Sequence, residues 1–593
     1  MLVVRYKNDR FHLISWIRCE GALGLICLGT VSVWAQTQDL ATTDDGSKLY
    51  FSSTLRLKGT DEYTNGKIFE YANGSYSLIG QVIPSTTLAD GSIFQFAYRM
   101  PNVNGDGSIL AYDGTASCTG GPLCQGSFTT VGYIIGAQLP EAGVYPGSLR
   151  ISHNGRYAIR FGGVRSIIPQ YASLYDFQSR KFVLNQDGGD LLTYGAVICT
   201  VPGDGRQSLA DDGTVLTDQG LWRNGQIKDP GVSVGGITSR LSSDGSVVVD
   251  EFAVSSQCYG DFAFGYCEYN NILVAYNVSA GTEVGLAKGP TYQQNHYAQP
   301  LPSFFPTLSN DGRFVLYRGG LGPQLIVSTT DGTVQRQLTN DPLGIAEGVL
   351  SGDAHHAYAV TQNGALLSID VDSGQVQTLL SGGVPTVTQT MGAVVPGSLV
   401  TFMGTDLSTS VAHSRLSFNG PQPPVISSTV KSVTIQIPWE IDTTHPLTVS
   451  GANPDSPFEQ AESFQPVLAS PEFLGVFHAD FTPLNTYNNF AKPGEILILY
   501  MTGLGPVSPP IATGQAAPPG RLSDVQFPLH CVWDGQTADI QFAGLAPGTV
   551  GVYQVNIVAP ATIGGYSLTC TSVLPSGGSS DSATTTIFVA TAQ

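Results

Sequence analysis

Short apolar runs, each entered through a small polar turn, recur from residue 36 to about residue 384. The turn phrase reads Asp44-Asp45-Gly46, Gly105-Asp106-Gly107, His153-Asn154-Gly155, Asp211-Asp212-Gly213, Ser243-Asp244-Gly245 and Asn310-Asp311-Gly312, with a degenerate copy at Gly352-Asp353-Ala354. The runs behind it include Tyr157-Ala158-Ile159, Val247-Val248-Val249, Phe314-Val315-Leu316-Tyr317 and Ala357-Tyr358-Ala359-Val360. Asp-Gly and Asn-Gly supply the positive φ of tight turns, and the apolar runs predict strands. A second strand-turn-strand phrase follows, as at Leu221 to Gln226, Leu325 to Gly332 and Leu367 to Gly374. Two hairpins per repeat make a four-stranded unit. The repeat averages about 51 residues, the range of a β-propeller blade, and predicts about seven blades over 36–384. The competing arrangement is a line of β-sandwiches with similar turns.

These phrases resemble the WD40-like repeats of TolB-type propellers, in which a Ser-x-Asp-Gly turn precedes a blade strand. Beyond Val384-Pro385 the repeats stop and two longer segments echo each other. Pro396-Gly397 and its β run to Leu407 match Pro493-Gly494 and its β run to Gly505; Val433 to Pro438 matches Tyr553 to Pro560. Alternation in these strands turns one face inward, which predicts two immunoglobulin-like β-sandwich modules, 385–470 and 471–593. The phrases Leu499-Tyr500-Met501-Thr502-Gly503-Leu504-Gly505, Ala512-Thr513-Gly514-Gln515 and Ala543-Gly544-Leu545-Ala546-Pro547-Gly548 resemble the uncharacterised Solibacter-type C-terminal domain family of exported acidobacterial proteins. That resemblance implies export and architecture, and carries no chemistry with it.

Composition sharpens this all-β reading. Charged residues are 12% of the chain, too few for long surface helices. The net charge is −19, and only 27 Lys and Arg are spread over 593 residues, which argues against a nucleic-acid partner. Arg5, Lys7, Arg10 and Arg18 precede an uncharged run from Gly21 to Val33, and Val33 and Ala35 are small residues ahead of Gln36. This predicts a signal peptide over 1–35. The run is short for a membrane span, so the mature chain is expected to have none and to be secreted, periplasmic or cell-surface.

Export makes disulfides reasonable at Cys118/Cys124, Cys258/Cys267 and Cys531/Cys570, leaving Cys199 over. No catalytic residue is assigned. Gly231-Val232-Ser233-Val234-Gly235 copies a nucleophile elbow but follows Lys228-Asp229-Pro230 rather than an apolar strand. Asn102, Asn104 and Asp106 offer oxygens at alternate positions, like the start of a calcium loop, yet Asp113 stands where such a loop wants a bidentate Glu. An ordinary turn is the plainer reading. His355 and His356 are neighbours on a strand and point to opposite faces, so they cannot chelate one metal. Tyr259, Phe262, Phe264, Tyr266, Tyr292 and Tyr297 gather around the Cys258/Cys267 loop and form the expected binding surface. The chain thus reads as an exported, non-catalytic binding or scaffold protein for an extracellular protein or glycan, with no cofactor. The alternative is a propeller hydrolase or lyase acting on polysaccharide or peptide, with carboxylates drawn from different blades.

Overall fold

The turn phrase supports itself, which is why it recurs. At residues 309–314 the Ser309 hydroxyl donates to Asp311 Oδ1 at 2.8 Å and accepts the Phe314 N–H at 3.0 Å, while Asp311 Oδ1 accepts the Arg313 N–H at 3.0 Å. The same set of bonds holds 242–247 and 351–356. Gly312 closes its turn at φ +66°, a conformation that strains any L side chain. In the degenerate copy Ala354 takes φ 64° regardless, at about 1–2 kcal/mol.

The computed structural model describes residues 37–58, 67–79, 86–87, 93–119, 129–140, 145–162, 171–194, 197–199, 201, 205–228, 238–259, 266–295, 303–319, 324–341, 344–410, 413–484, 489–520 and 522–590. The expected signal peptide and Ser233 lie outside them. Within them the strands pair into antiparallel sheets, and no helix is long and apolar enough to cross a membrane. The chain divides into two units. One runs to Thr54 and resumes over Thr64–Leu380; the other comprises Leu55–Tyr63 and Ser381–Gln593.

In the first unit each turn joins an inner strand to the next strand of the same sheet. The inner strands are Thr37–Thr42, Ile93–Val103, Ser148–Ile151, Thr238–Leu241, Thr307–Leu308 and Ile345–Leu350. In the fourth sheet residues 207–210 take that place, bridged at Leu209 to Val215. Among the described residues this gives seven sheets of three to five strands, with a two-stranded ribbon beside the fourth. Backbone bonds link successive turns. Asp44 N donates to Gly105 O (2.9 Å), Gly105 N to His153 O (2.7 Å), Asp211 N to Ser243 O (2.8 Å), Asp244 N to Asn310 O (3.2 Å) and Asn310 N to Gly352 O (3.0 Å). Asn154 N reaches Asp211 Oδ1 at 2.7 Å. Asp353 N then donates to Asp44 O at 3.0 Å, so the seven turns form a closed circuit rather than a line.

The cores explain why a circuit forms. Tyr50, Ile68, Leu110 and Tyr112 pack between the first two sheets, Ala111, Leu149 and Ala158 between the second and third, and Ile159, Leu174 and Trp222 between the third and fourth. The later sheets share cores in the same way, as with Val249, Leu273, Phe304 and Val315, then Leu316, Val327, Ile345 and Ala357. Each sheet hides its apolar faces only against its neighbours.

The expected unbroken span 36–384 is interrupted. Residues 55–58 group with the second unit, where Arg56–Leu57 pairs with the strand Phe458–Phe464. The reason is local: Leu55 is buried, and the Arg56 guanidinium meets Glu459 Oε1 at 3.0 Å. Among the described residues the second unit holds two pairs of larger sheets and a two-stranded ribbon, Ser408–Ser410 with His413–Ser414. One pair encloses Val400, Phe402, Val433, Ile435 and Val449; the other encloses Leu497, Leu499, Met501, Tyr553, Val555 and Cys570. The sequence echo has a structural meaning. Leu399–Thr405 pairs with Ser432–Gln436 in one module exactly where Ile496–Thr502 pairs with Tyr553–Val558 in the other.

Candidate functional site

The first residue of each turn phrase, the x of Ser-x-Asp-Gly, points to the middle of the circuit. Asp44, His153, Asp211 and Asn310 come from four different sheets and touch one another. His153 Nε2 lies 2.6 Å from Asp44 Oδ2 and its Nδ1 lies 2.9 Å from Asp211 Oδ2. Asn310 Nδ2 donates to Asp44 Oδ1 at 2.7 Å, and Ser243 Oγ donates to Asn310 Oδ1 at 3.1 Å. The two other turns carry glycine here. A Cβ at Gly105 would collide with Asp44 and His153, and one at Gly352 with Asn310 and Asp44. Hydrogen bonds to Asp211 and Asp44 push the His153 pKa up to about 10, against the opposing effect of burial, so the ring is an imidazolium at neutral pH. Burial raises Asp44, but its bonds from His153 and Asn310 win and hold it below the ordinary carboxylate value.

Further along the inner strands a second level of bonds crosses the axis. Arg206 of the fourth sheet reaches Glu347 of the seventh, and Glu347 also accepts the N–H groups of Asp39 (2.8 Å) and Leu40 (3.2 Å). Gln207 Nε2 donates to Leu308 O at 2.8 Å and Gln207 Oε1 accepts Leu308 N at 2.9 Å, passing over the fifth sheet to the sixth. Such spans exist only through the centre of a ring. Asp39 accepts from Ser52 Oγ (2.6 Å) and from Arg99 Nε and Met100 N (3.3 Å each). Asp39 and Met100, on two inner strands, and Gln207 and Phe305, at or just ahead of two others, adopt φ of 57°, 54°, 46° and 47°. Each costs about 1–3 kcal/mol and turns the chain so that these groups meet.

The Glu347 carboxylate, held by an ion pair and two amides, is the acceptor that joins these strands. The axial groups are therefore equipped to lock the ring. Among the described residues no group of three or more His, Cys, Asp or Glu side chains is placed to hold a metal ion.

The aromatic surface expected from sequence falls on the three long strands of the fifth sheet, Val247–Tyr259, Tyr266–Asn277 and Thr282–Asn295. Tyr259 stands opposite Tyr266, and Tyr292 opposite Tyr269, which sequence reading missed; those last two rings stack with centroids 5.8 Å apart. Phe262, Phe264 and Tyr297 lie outside the described residues. The disulfides Cys258–Cys267 and Cys531–Cys570 are formed. Cys118 lies on the strand Leu110–Thr119 and Cys124 outside the described residues. Cys199 is a buried free thiol whose pKa burial pushes up to about 11. Of the calcium-loop candidates, Asn104 donates to Asp106 Oδ1 at 2.8 Å within the turn, and Asn102 Oδ1 accepts the Ile151 N–H at 2.7 Å. His355 meets Asp372 Oδ2 at 2.6 Å on the surface. Sequence reading also missed the axial cluster, although its signal is present: the first position of the turn phrase is polar in five copies and glycine in two.

Residues 385–466 match the IPT/TIG domain family, so this module is immunoglobulin-like. Curated protein sequences give no match. Solved structures similar to the chain include TolB from Acinetobacter baumannii, at 15% identity and TM-score 0.24 over 50% of this chain and 53% of that one. A putative TolB from Agrobacterium tumefaciens aligns at 14% identity and TM-score 0.24, covering 52% and 86% of the two chains. An oligogalacturonate lyase from Vibrio parahaemolyticus aligns at 11% and TM-score 0.28, covering 54% and 85%. The chain spans about half the length of the first of these.

Proposed function

We propose that this chain is an exported, non-catalytic binding or scaffold protein. In this reading the first unit is a seven-bladed β-propeller that displays a binding surface on its rim, and the immunoglobulin-like modules of the second unit attach or space it. The observation that carries the proposal is the axis itself. Its carboxylates Glu347, Asp44 and Asp211 are tied by Arg206 and His153 across the ring, where a propeller enzyme would keep a reactive pair open to substrate. The disulfides, Cys258–Cys267 in the first unit and Cys531–Cys570 in the second, support an oxidising, extracellular setting.

The test is binding and turnover measured on the same purified protein. Polysaccharides and peptides are titrated calorimetrically, and each is then incubated with the protein and its products are analysed. The proposal expects saturable binding without new products. Turnover that disappears in a Glu347→Gln variant would overturn it.

A further inference from the structure

The last module carries a flat aromatic and amide surface on the outside of its larger sheet. There the strands Glu472–Phe477, Ile496–Thr502, Tyr553–Val558 and Ile540–Leu545 lie side by side. Alternation sends Leu497, Leu499, Met501, Tyr553, Val555 and Ile557 into the core. The residues between them form two rows on the opposite face. One row reads Gly475, Tyr500, Gln554 and Gly544; the next reads Phe477, Ile498, Asn556 and Phe542. The glycines make the surface flat. A Cβ at Gly475 would meet Phe477 Cε2 at 2.7 Å, and one at Gly544 would meet Phe542 Cζ at 2.7 Å. Each phenylalanine ring therefore lies down over a bare glycine of its own strand. The rows cross three strand spacings, about 14 Å.

Phe477 and Tyr500 meet edge to face with ring centroids 5.3 Å apart. Beside them Gln554 Nε2 donates to Asn556 Oδ1 at 2.9 Å. Among the described residues neither side-chain amide makes another hydrogen bond, so Gln554 Oε1 stands ready to accept and Asn556 Nδ2 to donate. Phe477, Tyr500, Phe542, Gln554 and Asn556 all keep part of their surface in solvent, and Ile496 at one end of the face is exposed. At the other end the face meets the first module, whose Leu399 N–H donates to Thr502 Oγ1 at 2.8 Å. The two rows carry no charge. The carboxylates at their margins are Glu472, opposite Thr502, and Asp524, opposite Gly544, so an anionic ligand meets like charge. A purely apolar partner would bury the amide pair with groups unpaired, at about 1–3 kcal/mol each. A neutral sugar meets both demands: flat rings cover the C–H face of a pyranose, and the amides give and take bonds with its hydroxyls.

We infer that this face is a platform for a neutral polysaccharide, through which the second unit attaches. The inference gives the attachment role its chemistry and rests on that part of the binding reading. Full-length protein is mixed with insoluble cellulose, chitin and β-glucan, and run in affinity electrophoresis against galactomannan and polygalacturonate. Binding to at least one neutral polymer is expected, with none to polygalacturonate. Tyr500→Ala with Gln554→Ala should weaken it about tenfold or more, through the loss of a stacked ring and a hydrogen-bonding amide. Gln554→Ala with Asn556→Ala removes amides alone and should weaken binding at an unchanged unfolding midpoint. A Gln554→Cys thiol should react readily with maleimide in the folded protein; protection there would mean that the first unit or a second copy covers the face, and would overturn the inference. Binding to no neutral polymer, or binding untouched by both pairs, would overturn the platform and leave the function proposal standing. Equal retardation by polygalacturonate would overturn the ligand class. Cleavage of the bound polymer would overturn the function proposal and leave the platform standing.

Discussion

Replacing His153 by glutamine should cost the first unit stability in a way that depends on pH. The substitution removes an imidazolium that joins Asp44 of the first sheet to Asp211 of the fourth. A pKa moved from 6.5 to about 10 corresponds to at most about 5 kcal/mol. The side chains of His153, Asp44 and Asp211 keep 27%, 40% and 28% of their surface in solvent, so screening reduces that to about 2–3 kcal/mol. The folded state holds a proton that the unfolded state releases. The contribution is therefore complete below about pH 6.5, shrinks as pH rises, and is gone once pH passes about 10. Guanidinium unfolding of both proteins at several values between pH 6 and pH 10 supplies the assay, with hydrogen exchange assigning the transition to the first unit. The quantity read is the wild-type stability minus the variant's, which cancels other titrating groups. It should fall by about 2–3 kcal/mol across that range. A difference that stays constant from pH 6 to pH 10 would refute the charged bridge.

Gly352→Ala should destabilise the same unit by about 2 kcal/mol in urea, because its Cβ meets Asn310 and Asp44; Gly285→Ala, with open space around it, should fall within about 0.5 kcal/mol of wild type. Glu347→Ala removes an acceptor from Arg206 and from two amides and should cost about 3 kcal/mol, part of which returns in Arg206→Met/Glu347→Leu, as a double-mutant cycle would measure. Replacing Cys531 and Cys570 together by serine opens a loop of sequence separation 39 and should lower the second unit's stability by about 3–4 kcal/mol by calorimetry. Burial raises the Glu462 pKa, so its charged form opposes folding at neutral pH. Glu462→Gln should then unfold at higher denaturant than wild type at pH 7 and lose that advantage in acid.

Much of the fold was legible because it is local. The Ser-x-Asp-Gly turn satisfies its own polar groups, so its residues repeat wherever the structure does, and the paired echoes at Leu399 and Ile496 mark strands that occupy equivalent places. The excursion of residues 55–58 was not legible. It is held by a short pairing of Arg56–Leu57, the burial of Leu55, the ion pair of Arg56 with Glu459 and bonds from Lys58, and all of these residues are ordinary in sequence. The axial cluster was hidden for a different reason. His153, Asp44, Asp211 and Asn310 acquire meaning only when the ring closes and brings the variable turn position of four sheets together. Tyr259, Tyr266 and Tyr292 lie near a cysteine pair in sequence, and they share one sheet because the strands Val247–Tyr259, Tyr266–Asn277 and Thr282–Asn295 pair in succession.

Ring closure is the claim on which the axis depends. Spin labels at Asp45→Cys and His355→Cys, on the first and seventh turns, measure it by pulsed dipolar spectroscopy. The backbone bond from Asp353 to Asp44 predicts a separation of the size of the labels themselves, below about 20 Å. Six sheet-to-sheet steps of about 10 Å laid in a row would instead put the labels about 60 Å apart, and a distance near that value would contradict the closed circuit.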